Sequence, residues 1–172
     1  IITADGGIDY SNNYYNQELD SYKLILCEIY TALNLQKNDG IFILKIFDIF
    51  YYNTIQLLYI LNLFYSELYI VKLDTSRSSN SEKYIICKHF NNNTNNHVLL
   101  NKMKLYIESN EDINIYIPID FILKIFKYNN HSNNAQINNI NSTIDLIIHK
   151  SCTSAIYNNL EMSNKWYQKY NL

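Results

Sequence analysis

Ten residues, Leu73 to Glu82 (LDTSRSSNSE), separate two strand-like runs, ELYIVK at 67–72 and KYIICK at 83–88. The connecting segment is Ser-rich and has no helical period. A parallel crossover takes a dozen residues or more, so the second run is expected to return antiparallel to the first. Upstream, Ile41 to Leu44 is a short, wholly apolar run, the pattern of a central parallel strand covered on both faces. Residues 1–4 read as the end of another buried strand. Three polar residues border these runs, Asp5, Lys45 and Glu82, at intervals of 40 and 37 residues, about one strand-helix-strand unit each. Parallel strands ending at Ala4 and Lys45 finish at the carboxyl edge of a sheet, and an antiparallel strand starting at Lys83 begins there. Asp5, Lys45 and Glu82 are therefore expected to converge where open α/β sheets place their ligands.

The rest of the chain is expected to alternate helices with polar loops. After a polar loop at 5–17, Leu19, Tyr22, Leu26, Ile29 and Leu33 keep a helical period over Glu18 to Leu33. Residues 54–65 read as a second helix capped by Asn53 or Thr54. Beyond Phe90 the texture changes. Asn91 to Asn96 is a low-complexity loop, and apolar runs at 98–108 and 113–127 surround the lone Pro118. An Asn-rich linker is expected at 128–134. It precedes an amphipathic helix whose stripe, Ile137, Ile140, Ile144 and Ile148, is expected to pack into a core. A last helix is expected over 154–169 with Ile156, Leu160 and Trp166 inward.

Composition narrows the function classes. A chain of 172 residues is one domain by length, 48% hydrophobic and able to bury a core. Its net charge of −2 makes no strong electrostatic case for nucleic acid or membrane. The 27 Asn, 27 Ile and 17 Tyr, set against three Gly and one Pro, follow A/T-rich codons, so the Asn abundance is read as drift. Against that background the adjacent Gly6 and Gly7 mark either a backbone conformation or close approach that other residues disfavour, or an ordinary turn. Cys27, Cys87 and Cys152 show no CxxC or Cys/His ligand spacing, so zinc is not expected, and Cys27 and Cys87 read as small core residues. His89, His97, His131 and His149 form no cluster and read as surface residues. Asn92 and Asn141 open glycosylation patterns, yet there is no signal-peptide pattern and no apolar run of about 18 residues. An intracellular, reducing location fits, with no membrane partner.

The spacing leaves two readings of the polar trio. Burial lowers the pKa of a lysine, and flanking carboxylates raise it and hold the side chain; so oriented, a lysine can steer or accept a proton from a hydroxyl. A structural ion pair at a strand end is the other reading. Asp48 reads as structural, and Lys72 as a solvated strand end more than a phosphate contact.

The segments ADGG, ILKIFDIF and TSRSSNSEKYIICK, in this order and spacing, resemble the FtsJ-like RNA 2′-O-methyltransferase family, in particular its cap-specific mRNA branch and versions in large DNA viruses. The likeness covers residues 1–90. AQINNINSTIDLI and KWYQKYN are similar to C-terminal parts of viral members. The resemblance implies an α/β fold: the C-terminal part of a Rossmann-like methyltransferase sheet at 1–90, parallel strands plus one antiparallel strand, then a mainly helical extension at 91–172. It implies methyl transfer from S-adenosylmethionine to a ribose 2′-hydroxyl of RNA, with capped mRNA as partner, no metal, possible association with other capping enzymes, and the host cytoplasm as location if the protein is viral. By motif, Asp5, Lys45 and Glu82 match three members of the family's Lys-Asp-Lys-Glu tetrad. Asp5, Gly6 and Gly7 would touch the methionine side of the cofactor. Arg77 could contact phosphate, stack on a base or pin its own loop, and Ser78, Ser79 and Asn80 could line an RNA groove or satisfy the loop backbone. The first tetrad lysine and a glycine-rich cofactor turn have no counterpart, so the chain is expected to be an N-terminally truncated fragment, inactive alone. The alternative is a non-catalytic RNA-binding or scaffold subunit on a degenerate methyltransferase fold.

Overall fold

The computed structural model describes residues 1–10, 14–74, 76–91, 97–110, 113–149 and 152–170. Two compact units emerge, Ile1–Leu73 with Ser81–Asn129, and Asp74–Asn80 with Asn130–Leu172.

The first unit is a sheet with helices on one face. Its elements are β1 (Ile2–Ala4), a 3-10 turn (Tyr14–Asn16), α1 (Gln17–Leu35), β2 (Phe42–Ile46), α2 (Tyr52–Phe64), β3 (Tyr65–Val71), β4 (Lys83–Phe90) and α3 (His97–Ser109). The strand order is β1-β2-β4-β3. β1 pairs parallel to β2, with Ala4 opposite Leu44, and β4 runs antiparallel to both β2 and β3. The short Ser-rich connection does force the antiparallel return.

Burial alternates along the strands, as a pleat requires. Phe42, Leu44 and Ile46 of β2, and Lys83, Ile85 and Cys87 of β4, are buried. They face Ile25, Leu26, Ile29 and Leu33 of α1 and Leu57, Leu58 and Leu61 of α2 in one cluster. Ile43, Lys45, Tyr84 and Ile86, on the other face, are only half-buried. β2 is thus fully covered on one side rather than both, because α1 and α2 share the same face. Burial pushes the Cys87 thiol up to about 12, which leaves it an inert core residue. Cys27 is only half-buried and lies outside that cluster, so it is not the core residue expected.

Two local expectations are corrected in this unit. Leu19 is exposed, and the inward face of α1 runs instead through Glu18, Tyr22, Ile25, Leu26 and Ile29. α2 begins at Tyr52, with Tyr51 as its N-cap and no side chain capping from within the segment, so Asn53 and Thr54 lie inside the helix. The cap comes from a distance: the Glu18 carboxylate of α1 accepts the Phe50 and Tyr51 N–H groups at 2.9 Å each. A tertiary carboxylate at a helix N-terminus does what an Asn or Thr cap does locally.

The supposed linker at 128–134 is helical, inside α4 (Ile119–Ile148). Pro118 starts that helix, its carbonyl accepting the Phe121 and Ile122 N–H groups. No Gly or Pro interrupts 119–148, and Asn costs a helix under about 0.7 kcal/mol per residue relative to Ala. Asn129 is buried, and its amide donates to the Ile49 carbonyl at 2.5 Å.

The second unit holds the remainder of α4, the loop 74–80 and α5 (Cys152–Tyr170). Its isoleucine stripe is not core: Ile137, Ile140, Ile144 and Ile148 are all exposed. Leu160 is exposed too, while Trp166 is half-buried and meets the Tyr167 ring edge-on at 5.7 Å. A helical period in the sequence marks an apolar face without saying what covers it. Ile156 lies outside the described side chains.

Candidate functional site

Parallel pairing of Ala4 with Leu44 brings the next residues, Asp5 and Lys45, side by side at the carboxyl ends of their strands. Their side chains form an ion pair between Lys45 Nζ and Asp5 Oδ1. Across the other side of β2, antiparallel register sets Tyr84 opposite Lys45. The Tyr84 hydroxyl donates to Glu82 Oε1 at 3.3 Å. Asp5, Lys45 and Glu82 therefore do meet at one sheet edge.

The electrostatics centre on Lys45, whose side chain is 18% exposed against 66% for Asp5. The hydrogen bond to Asp5 raises the Lys45 pKa; burial opposes it, and the charges of Asp5 and Glu82 add to the rise. At neutral pH Lys45 is an ammonium. The Tyr84 hydroxyl is also pushed up, first by burial and then by Glu82 and Asp5.

Two neighbours escaped the sequence reading. Tyr84 could have been found, since two residues along a strand from Glu82 return to the same face. Glu28 of α1 gave less signal: it sits just beside the helix's apolar stripe. Its carboxylate accepts the Gly6 N–H at 2.8 Å and fastens the turn after β1. Burial raises the Glu28 pKa, the Gly6 bond lowers it, Asp5 raises it and Lys45 lowers it. A carboxyl raised in the folded state loses stability as pH climbs through that folded value. Glu28→Gln keeps the acceptor for Gly6, so it is expected to stabilise the fold at pH 7 by less than about 1 kcal/mol and to leave it unchanged in acid, checked by urea denaturation at both pH values.

The glycine pair divides. Neither glycine has a positive φ, so conformation does not require them. A Cβ on Gly6 would lie 2.6 Å from Glu28 Oε1 and 3.1 Å from Leu24 Cδ2, whereas one on Gly7 would meet nothing within 4 Å. Close approach thus explains Gly6 alone. Gly6→Ala is expected to cost about 1–2 kcal/mol by displacing Glu28, and Gly7→Ala less than about 0.5 kcal/mol, in thermal denaturation of the two variants.

Lys72 is not a solvated strand end. It is half-buried, its ammonium donates to the Glu82 carbonyl at 2.8 Å, and burial lowers its pKa. Asp48 is structural as expected, 3.5 Å from the buried Lys83 ammonium. Arg77, Ser78, Ser79 and Asn80 belong to the second unit. There the Asn80 N–H donates to the Arg77 carbonyl, Asn80 Oδ1 accepts from Ser76, and the Ser79 carbonyl accepts the Gln136 amide at 3.0 Å. Arg77, Ser78 and Ser79 are exposed and Asn80 half-buried. An open cavity of about 350 Å³ flanks β1, lined by Thr3 and Asp5 and by Cys27, Glu28 and Thr31 of α1. Among the described residues no cluster of His, Cys, Asp or Glu is placed to hold a metal ion, and no helix is long and apolar enough to cross a membrane.

Residues 1–90 match the model of the FtsJ-like methyltransferase family. Among curated relatives, cap-specific mRNA (nucleoside-2′-O-)-methyltransferase 2 of Pongo abelii is 38% identical over 105 residues, 61% of this chain and 14% of the relative. Cap-specific mRNA (nucleoside-2′-O-)-methyltransferase 1 of Dictyostelium discoideum is 46% identical over 90 residues, 52% of this chain and 12% of that protein. The Danio rerio enzyme of the same description is 32% identical over 127 residues, 71% and 15% of the two chains. The chain spans no more than 15% of the length of these relatives.

Proposed function

The chain belongs to the FtsJ-like methyltransferase family, and on that premise we propose that the protein carrying it transfers a methyl group from S-adenosylmethionine to a ribose 2′-hydroxyl at the 5′ cap of mRNA. The observation that carries the reading is the Lys45 ammonium, paired with Asp5 and flanked by Glu82 and Tyr84 at one sheet edge. The likeness to cap-specific mRNA methyltransferases supports the choice of acceptor.

The residues present fit the cofactor in part. Gly7 stands in open space, free to approach a ligand, while the Gly6 N–H is already given to Glu28. Asp5 and Gly7 would face the methionine side of the cofactor. The cofactor supplies an electrophilic methyl group on a sulfonium. Transfer would form a carbon-oxygen bond at the ribose oxygen as the methyl-sulfur bond breaks; the sulfonium would leave as the neutral thioether and the hydroxyl proton would pass to solvent.

Lys45 has a raised pKa, which favours steering over proton abstraction. Its N–H groups hold the ribose oxygen in line with the methyl carbon, and positioning of this kind supplies much of the rate in such transfers. Its charge also favours the oxygen as the proton leaves. Asp5, two-thirds exposed, fixes the ammonium. Glu82, ordered by Tyr84, holds the other flank. Arg77, Ser78, Ser79 and Asn80 remain candidates for RNA contacts; the exposure of the first three supports that role. A reducing compartment, the host cytoplasm for a viral protein, and neighbouring capping enzymes complete the proposal.

The test is to incubate the full-length protein with capped RNA and S-adenosylmethionine labelled in the methyl group. Label is expected to enter RNA and to be lost when the acceptor ribose is 2′-deoxy. A protein that neither binds labelled S-adenosylmethionine nor labels RNA would instead be a non-catalytic RNA-binding subunit.

A further inference from the structure

The face of the sheet opposite Lys45 holds a second lysine that the mechanism above does not use. Lys83 opens β4 and is 3% exposed. Its ammonium donates to the Ser81 carbonyl at 2.9 Å and the Phe47 carbonyl at 3.1 Å, and lies 3.5 Å from Asp48 Oδ1. A lysine has three N–H donors, and these three partners match them. The charge of Glu18, reaching in from α1, adds to the attraction.

Burying a cation is costly, and a well-packed apolar side chain often stabilises a core as well or better. What the ammonium does that an apolar group cannot is join two backbone segments. Phe47 and Asp48 lie two and three residues past Lys45 along the chain that leaves β2. Ser81 is the residue before Glu82. Lys72 holds the same short stretch too, through the Glu82 carbonyl at 2.8 Å.

We propose that Lys83 is a positioning residue for Glu82 beside Lys45: by tying the exit of β2 to the entry of β4 it keeps the Glu82 carboxylate on the flank of Lys45. Its catalytic consequence rests on the methyl-transfer reading; its geometric consequence does not. Two measurements in the full-length protein separate them. The first is the Lys45 pKa, followed by NMR of labelled lysine side chains and assigned with Lys45→Arg. Glu82→Gln lowers that pKa, and Lys83→Met lowers it by a similar amount, with no further fall in the double variant. The second is methyl transfer to capped RNA. Lys83→Met lowers kcat about tenfold with KM for RNA within about twofold, and in the Glu82→Gln background it changes kcat by less than about twofold, the non-additivity expected of residues acting through one another. A purely structural lysine would leave the Lys45 pKa alone and multiply the two losses.

If Lys83→Met leaves the Lys45 pKa unchanged, the positioning role is overturned whatever the kinetics. If the wild-type protein transfers no methyl group, the functional reading falls while the titration still judges the positioning. Where Lys83→Met does not fold, Asp48→Asn weakens the same knot; it is expected to lower the Lys45 pKa by a smaller amount, and an unchanged value overturns the proposal.

Discussion

On the proposed methyl-transfer reading, Lys45→Ala in the full-length protein is expected to lower methyl transfer to capped RNA by a factor of about 10²–10⁴, the range set by losing a positioned charged group at the reacting atoms. The same change leaves the fold nearly as stable as before. The Lys45–Asp5 pair stands at a strand end with Asp5 two-thirds exposed, and ion pairs of that exposure contribute about 0–1 kcal/mol. Activity and stability therefore separate: a melting temperature within a few degrees of wild type beside a near-complete loss of kcat. Lys45→Arg does not rescue, because a planar guanidinium presents its donors in a different geometry. Steady-state kinetics and thermal denaturation of the same preparations check the separation, and a variant that keeps its kcat removes Lys45 from the mechanism.

The largest loss of stability is expected at Glu18, a residue with no place in the chemistry. Its carboxylate is 6% exposed and accepts the Phe50 and Tyr51 N–H groups, closing the N-terminus of α2. It also attracts the buried Lys83 ammonium. Glu18→Ala leaves two amides without their acceptor and weakens the support of a buried charge, for a loss of about 3 kcal/mol. Glu18→Gln keeps one acceptor oxygen and loses less. Urea denaturation measures both, and hydrogen exchange at the start of α2 is expected to quicken in Glu18→Ala before it does elsewhere. Equal stability of the three proteins would mean that α2 is capped by other means.

Much of the site could be read from the chain alone because it depends on strand direction. A ten-residue connection too short for a parallel crossover fixes β4 antiparallel, and from that the meeting of Asp5, Lys45 and Glu82 follows. Tyr84 was within reach of the same logic. Glu28, Lys72 and Lys83 were not, because each acts through a backbone group of a residue far away in sequence: Gly6, Glu82, Phe47. No residue pattern announces such bonds. Glu18 reads only as the start of the first helix; its bonds to the distant Phe50 and Tyr51 N–H groups are what place the start of α2 at Tyr52 rather than at Asn53 or Thr54. The helical stripes erred the other way. Ile137, Ile140 and Ile144 keep the period of a buried face and are exposed, since periodicity describes one helix and burial needs two partners. The Asn-rich stretch at 128–134 reads as a linker, but Asn disfavours a helix only weakly and Asn129 finds a partner in the Ile49 carbonyl.

The most direct measurement is mass spectrometry of nucleosides released from capped RNA after incubation with S-adenosylmethionine and the full-length protein, wild type or Lys45→Ala. The arrangement of Asp5, Lys45 and Glu82 predicts a 2′-O-methylated cap-proximal ribose with the wild type and almost none with the variant. Methylation elsewhere than the 2′-oxygen, or equal yields from the two proteins, would contradict it.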